Sequence, residues 1–136
     1  MSDFGKLLTA VITPFDNNGV LNTDTLWRLC KKLVHEKSDG LVLSGTTGES
    51  PNLTIEDRKI IYSTAKDSVG DKAKIIAGTG TYSTRESIEY TKMANDIGVD
   101  GIMIVTPYYS KPSQFGILQH FEQISKNTDL PIMAYN

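Results

Sequence analysis

Five short apolar runs recur along the chain, at residues 7–12, 40–44, 74–77, 101–105 and 131–135, each ending in glycine, proline or hydroxyl residues. Between them lie stretches long enough for helices, giving a repeat of roughly 30 residues, the mark of successive right-handed βαβ units. The runs are continuous rather than alternating, so both faces of the sheet they form are expected to be covered. Two α/β architectures satisfy the pattern: a doubly wound open sheet, or the first part of an eight-stranded (β/α) barrel. Periodicity does not separate them. In both, ligands bind beyond the carboxyl ends of the strands.

The intervening stretches carry helix signals. Asn22 or Thr23 caps a first helix with Leu26, Leu29 and Leu33 on one face, after an Asn18-Gly19 turn. Thr54-Ile55-Glu56-Asp57 opens a second, with acids in the turn the helix dipole favours and Ile61, Thr64, Ala65 and Ser68 on the less charged face. Ser83 and Glu86 have capping-box spacing for a third, which carries Ile88, Thr91, Ala94 and Ile97 and stops at Gly98. Ser113 caps a fourth, with Ile117, Leu118, Phe121 and Ile124 expected to face inward. No linker or low-complexity segment divides the 136 residues, so residues 1–136 form a single unit.

Composition narrows the function classes. A net charge of −2 with both signs interspersed gives no basic stripe for nucleic acid. No apolar run approaches the roughly 20 residues a membrane span requires, and the first residues lack the order of a secretory signal. Cys30 is the one cysteine, which excludes an internal disulfide and points to the cytoplasm. With His35 and His120 it is too sparse for a metal cluster, and all three sit in helical patterns where packing or surface roles are expected. No cofactor is expected.

Chemistry collects at the strand ends. Gly45-Thr46-Thr47-Gly48-Glu49-Ser50 follows the second run, and its hydroxyls and free strand-end N–H groups suit a small ligand. Gly45 and Gly48 are expected to let the loop turn sharply, and Glu49 is the clearest acid of the mouth. Thr13, Gly78-Thr79-Gly80, Tyr108-Tyr109 and Tyr135 end the other runs. No Gly-Lys-Ser/Thr follows the threonine loop, which excludes a P-loop. Ser83 stands where a dinucleotide fingerprint needs its third glycine, and no Ser/His/Asp set is present at these ends. Hydroxyls and phenols in series suit proton transfer to a carbonyl intermediate.

Thr13-Pro14-Phe15, Gly45-Thr46-Thr47-Gly48-Glu49-Ser50, Ala77-Gly78-Thr79-Gly80, Thr106-Pro107-Tyr108-Tyr109 and Tyr135-Asn136, in this order and spacing, resemble the amino-terminal half of the dihydrodipicolinate synthase family, within the N-acetylneuraminate lyase superfamily. The resemblance implies a (β/α)₈ TIM barrel, of which the first five strands and four helices are here. It also implies a lyase in which pyruvate forms a Schiff base with a lysine and condenses with aspartate semialdehyde, toward lysine and diaminopimelate. By motif, Tyr135, Thr46 and Tyr109 resemble the family's proton relay, with Tyr109 reaching into a neighbouring copy's site, and Thr47 would hold the pyruvate carboxylate. Paired threonines favour the synthase over sialic-acid lyases. Ser50, Glu86 and Tyr108 match the place where some members bind lysine as effector, but Ile55 and Arg58 replace histidines and Tyr82 an asparagine, which argues against feedback by lysine. The family's Schiff-base lysine lies on the sixth strand and a substrate-binding arginine follows the Tyr-Asn motif, so neither falls in these residues. Lys111, the one lysine near the mouth, sits in a polar loop. The chain alone is therefore expected to be inactive, exposing edges at its first and fifth strands and the inner faces of all five. It would be a fragment, a shortened paralogue, or a half-barrel assembling with its own copies or a separate second half.

Overall fold

The computed structural model describes residues 4–136. Strands β1 (Leu8–Ala10), β2 (Gly40–Leu43), β3 (Lys74–Gly78), β4 (Gly101–Val105) and β5 (Ile132–Tyr135) form one sheet in that order, every pair parallel. Helices α1 (Thr23–His35), α2 (Ile55–Val69), α3 (Thr84–Ile97) and α4 (Gln114–Ser125) alternate with them, each packed on the next in chain order. A doubly wound sheet reverses its strand order at a switch point. This one never does, so the molecule is a half-barrel in which, among the described residues, β1 and β5 are each paired on one side only. None of its helices is long and apolar enough to cross a membrane.

Register divides the side chains between two faces. Leu41 lies beside Ile75, and Leu43 beside Ala77, on the face that joins Ile102, Ile104, Leu26, Ile61, Tyr62 and Ala94 in one buried core under the helices. The opposite, inner face carries Val42 beside Ile76, Gly78 beside Met103 and Val105 beside Tyr135. The inner face is not exposed along all five strands: Val42 and Ile76 are buried. Glycines make this possible, because a Cβ at Gly40 would meet Leu8 and one at Gly101 would meet the Phe4 ring. Large side chains thus fill the spaces left by small neighbours, as in the layered interior of a barrel. Exposure is concentrated on the outer strands, at Ala10, Ala134 and Tyr135.

The caps form where the sequence places them, with one difference. Asn22 Oδ1 accepts from Thr25 N–H at 2.9 Å, and Ser113 Oγ from Gly116 N–H at 3.1 Å. Thr54 and Asp57 make a reciprocal capping box, with bonds of 3.1 and 3.0 Å. Ser83 accepts from Glu86 N–H at 3.3 Å, but Glu86 does not answer, because Ser83 N–H already donates to Thr81 Oγ1 at 3.0 Å. Gly98 ends α3 in the left-handed conformation, φ +78°. The inward face of α4 is also displaced. Leu118 is exposed, and His120 takes a buried place against α3.

His120 Nδ1 lies 2.9 Å from Thr84 Oγ1, while its buried Nε2 has no partner among the described residues. Burial lowers its pKa below 6.5, so the folded ring stays neutral where the unfolded one takes up a proton. The stability this confers is present above the unfolded value and is lost as pH falls through it. Thermal melts should therefore show falling stability from about pH 7 to about pH 5. The same melts of His120→Gln should show a shallower slope, and an unchanged slope would remove His120 as the cause. Cys30, fully buried and with its thiol pushed up to about 11 by burial, should resist alkylation until the chain unfolds.

Candidate active site

A cavity of about 290 Å³ opens at the carboxyl ends of β2, β3, β4 and β5, between Thr46, Ser50, Gly78, Met103, Tyr108 and Tyr135. Parallel strands place it there, because each chain segment leaves the sheet at that end. Met103, Val105 and Tyr135 reach it from the inner face, being one register row or one pleat apart.

The loop after β2 is built differently from the expectation placed on its glycines. Neither Gly45 nor Gly48 has positive φ; the left-handed turns are made by Ser44, φ +53°, and Glu49, φ +57°. Gly48 is needed for contact, since a Cβ there would stand 3.0 Å from the Val11 carbonyl. Successive turn bonds, Gly48 N–H to Gly45 O at 3.1 Å and Glu49 N–H to Thr46 O at 3.1 Å, fold the loop back on itself. Among the described residues the N–H groups of Thr46 and Thr47 have no acceptor, and both side chains are exposed, Thr46 in the cavity lining and Thr47 outside it. Glu49 is not part of the cavity; its carboxylate accepts from Asn52 Nδ2 at 3.1 Å.

The other strand-end residues sort into structural and accessible groups. Thr13 Oγ1 donates to the Gly48 carbonyl at 2.7 Å and is buried, so it clamps the loop rather than lining the mouth. Thr79, also buried, accepts from Thr91 Oγ1 at 3.0 Å. Thr46 and Tyr135 line the cavity together, and Ser50 and Tyr108 form its far wall. Tyr109 is 96% exposed, with φ +68°, and projects away from the cavity its neighbour lines. Tyr108 packs edge-on against Tyr82, ring centroids 5.5 Å apart, and burial raises its pKa, helped by Tyr82 and Glu86. Glu86 itself stays on α3, half-buried and outside the lining. Lys111 is exposed with φ +47°, and no lysine lines the cavity.

Sequence reasoning named Arg58 only as a histidine replacement and missed that it organises the cavity wall. Arg58 is 2% exposed on α2. Its Nη1 donates to the Gly78 carbonyl at 2.8 Å, and Nη2 donates to both the Ser50 carbonyl and Ser50 Oγ at 2.8 Å. Its guanidinium lies over the Tyr90 ring, 4.4 Å from the centroid, and Tyr62 adds a second donor to Gly78 at 3.1 Å. A buried arginine is legible in a sequence only as an arginine on an otherwise apolar helix face, three residues before Ile61.

Comparison with known proteins agrees with this geometry. The sequence model of the Dihydrodipicolinate synthetase family matches residues 3–136. The 4-hydroxy-tetrahydrodipicolinate synthases of Moorella thermoacetica and Desulforudis audaxviator are 52% and 50% identical to the chain over 98% of its length. The crystal structure of a dihydrodipicolinate synthase from Bacillus anthracis superposes on 100% of the chain with a TM-score of 0.96 and 45% identity. The chain spans 46% of each of those two relatives and 47% of that structure.

Glycine substitutions should distinguish packing from cavity shape. At Gly78 a Cβ would meet the Leu43 carbonyl at 2.8 Å, which is backbone and cannot yield; at Gly45 it would meet the mobile tip of Met103 at 3.1 Å. Gly78→Ala should cost about 2–4 kcal/mol in denaturant melts, and Gly45→Ala less than about 1 kcal/mol. Arg58→Met should be destabilising by about 1–3 kcal/mol, because it removes three bonds at once and leaves the Gly78 carbonyl only the Tyr62 hydroxyl and the Ser50 carbonyl only the Leu53 N–H; a near-zero cost would mean water replaces the guanidinium.

Proposed function

The chain belongs to the Dihydrodipicolinate synthetase family, and on that premise we propose that it carries the proton-handling part of a 4-hydroxy-tetrahydrodipicolinate synthase. The reaction is the Schiff-base condensation of pyruvate with aspartate semialdehyde, in lysine and diaminopimelate biosynthesis. The observation that carries this reading is the shared cavity: Thr46 and Tyr135 line one space, and the N–H groups of Thr46 and of its neighbour Thr47 are unpaired among the described residues. Those N–H groups, of Thr46 and Thr47, suit the pyruvate carboxylate as preorganised donors. A phenol with a pKa of about 10 is a poor base alone. Passing its proton through the Thr46 hydroxyl divides the transfer into short steps. Tyr109, exposed and turned outward, serves as the third relay member in the cavity of a neighbouring copy.

The covalent step needs an amine, and no lysine lines this cavity. We assign that lysine to the remaining β/α units of the barrel, which would pair with the free sides of β1 and β5 as the rest of a longer chain or as a second half. The exposure of Tyr109 supports assembly as a homo-oligomer. Ser50 and Tyr108 line the part of the cavity that corresponds to an effector site, and Arg58 already donates to Ser50 Oγ, which opposes binding of a lysine ammonium there. The same absent amine favours a second reading, a half-barrel that holds small carboxylates without chemistry.

Borohydride reduction with pyruvate separates the two. The 136-residue chain alone should gain no mass, and adding a polypeptide that supplies the remaining units should produce a reduced pyruvate adduct on that polypeptide. In the assembled protein Thr46→Val should lower kcat at least about 100-fold while leaving the adduct able to form. An adduct on Lys111 would refute the assignment of the amine, and no adduct in the complemented protein would favour the carboxylate-binding reading.

A further inference from the structure

At the amino-terminal end of the sheet, away from the Thr46–Tyr135 cavity, the last turns of α1 and α2 enclose another cavity of about 290 Å³. Lys31 and His35 reach it from α1, Lys37 from the turn before β2, and Lys72 from the turn before β3. Its floor is Val69 and the buried Ser68. Among the described residues no carboxylate lines it. The other surface grooves differ: between α2 and α3, Lys59 and Lys92 are balanced by Glu89 and Asp96, and the adjoining cavity between α1 and α2 is lined by Asp24 and Asp67. In a chain of net charge −2, a cavity lined by three lysines and, among the described residues, by no acid is not an effect of composition.

Helix dipoles favour cations near helix C-termini and account for some of this charge. They do not account for the backbone of Lys37. It holds φ +77°, while Lys37 N–H bonds Val34 O and Ser38 N–H bonds Leu33 O, both at 3.0 Å. The same helix ending in α3 is given to Gly98, the residue that adopts this conformation without penalty. A lysine there accepts backbone strain to put a charge in the cavity. Among the described residues the side chains of Lys37, Lys72 and His35 make no hydrogen bond or ion pair, and the Lys31 ammonium lies 4.3 Å from the centre of the Trp27 ring.

We propose that this cavity binds a diphosphate group, held by Lys31, Lys37 and Lys72 with the His35 ring as a further donor. A diphosphate carries about three negative charges near neutral pH, matching three ammonium groups, whereas a monovalent anion leaves two uncompensated. Lysines read phosphate as point charges and need no planar fork, so the site calls for charge rather than shape. The inference is independent of the reaction at the other end of the sheet.

The test is calorimetric titration of the 136-residue chain with inorganic pyrophosphate at constant ionic strength, with ADP and sulfate in parallel. Saturable pyrophosphate binding is expected, weakened at least about fivefold by Lys37→Gly and by Lys72→Gln, and unchanged by Lys59→Gln in the balanced groove. Lys37→Gly should keep or raise the melting temperature, because glycine accepts the left-handed backbone, so lost binding in that variant is not lost fold. Tighter binding of ADP than of pyrophosphate would assign the group to a nucleotide; equal binding would assign it to diphosphate itself. Absence of saturable binding, sulfate binding as tight as pyrophosphate, or full affinity in both lysine variants would overturn the proposal.

Discussion

A single buried guanidinium holds the wall of the cavity in place. Arg58 bonds the end of β3 through Gly78 and the end of the threonine loop through Ser50, so two strand ends that are separate in sequence share one anchor. A cation out of water is costly unless its hydrogens are taken up. Here three oxygen contacts and the face of Tyr90 take up much of that demand, and only Nε lacks a partner among the described residues. The loop that carries Thr46 and Thr47 leaves their N–H groups unpaired among the described residues and is fixed just after them, by Thr13 on Gly48 and by Arg58 on Ser50.

That division of labour runs through the whole mouth. Hydroxyls that resemble one another in the sequence do unlike work. Thr13 and Thr79 are buried and spent on internal bonds, whereas Thr46 and Thr47 are exposed and free. Strain is placed the same way, with Ser44 and Glu49 in left-handed backbone on either side of the two threonines. Such conformations survive only where surrounding contacts over-determine them.

The half-barrel also shows how a sheet can be well packed on one side and unfinished on the other. Its outer face is closed by four helices, and the inner face of the central strands is closed by Val42 and Ile76. At β1 and β5 the ladder has no partner among the described residues. Exposed parallel edges are pairing surfaces, and the carboxyl-end cavity lies open on the same side as Tyr135 of β5.

Much of this was legible in the sequence. Continuous apolar runs at a regular repeat gave the strand positions, and local chemistry gave the caps at Asn22, Thr54, Ser83 and Ser113, because side-chain bonds within three residues need no tertiary partner. The motifs resembled a family that the comparisons then bore out. What the chain alone could not show was which polar groups meet. The strand order that excludes a doubly wound sheet, the burial of Arg58 and Tyr62, the exposure of Leu118 and the transfer of the tight turns from glycines to Ser44 and Glu49 all depend on contacts between distant segments. Local sequence sets the period and the ends of each element; only packing decides which side chain is desolvated, and desolvation decides whether a hydroxyl or a cation is a fastener or a reagent.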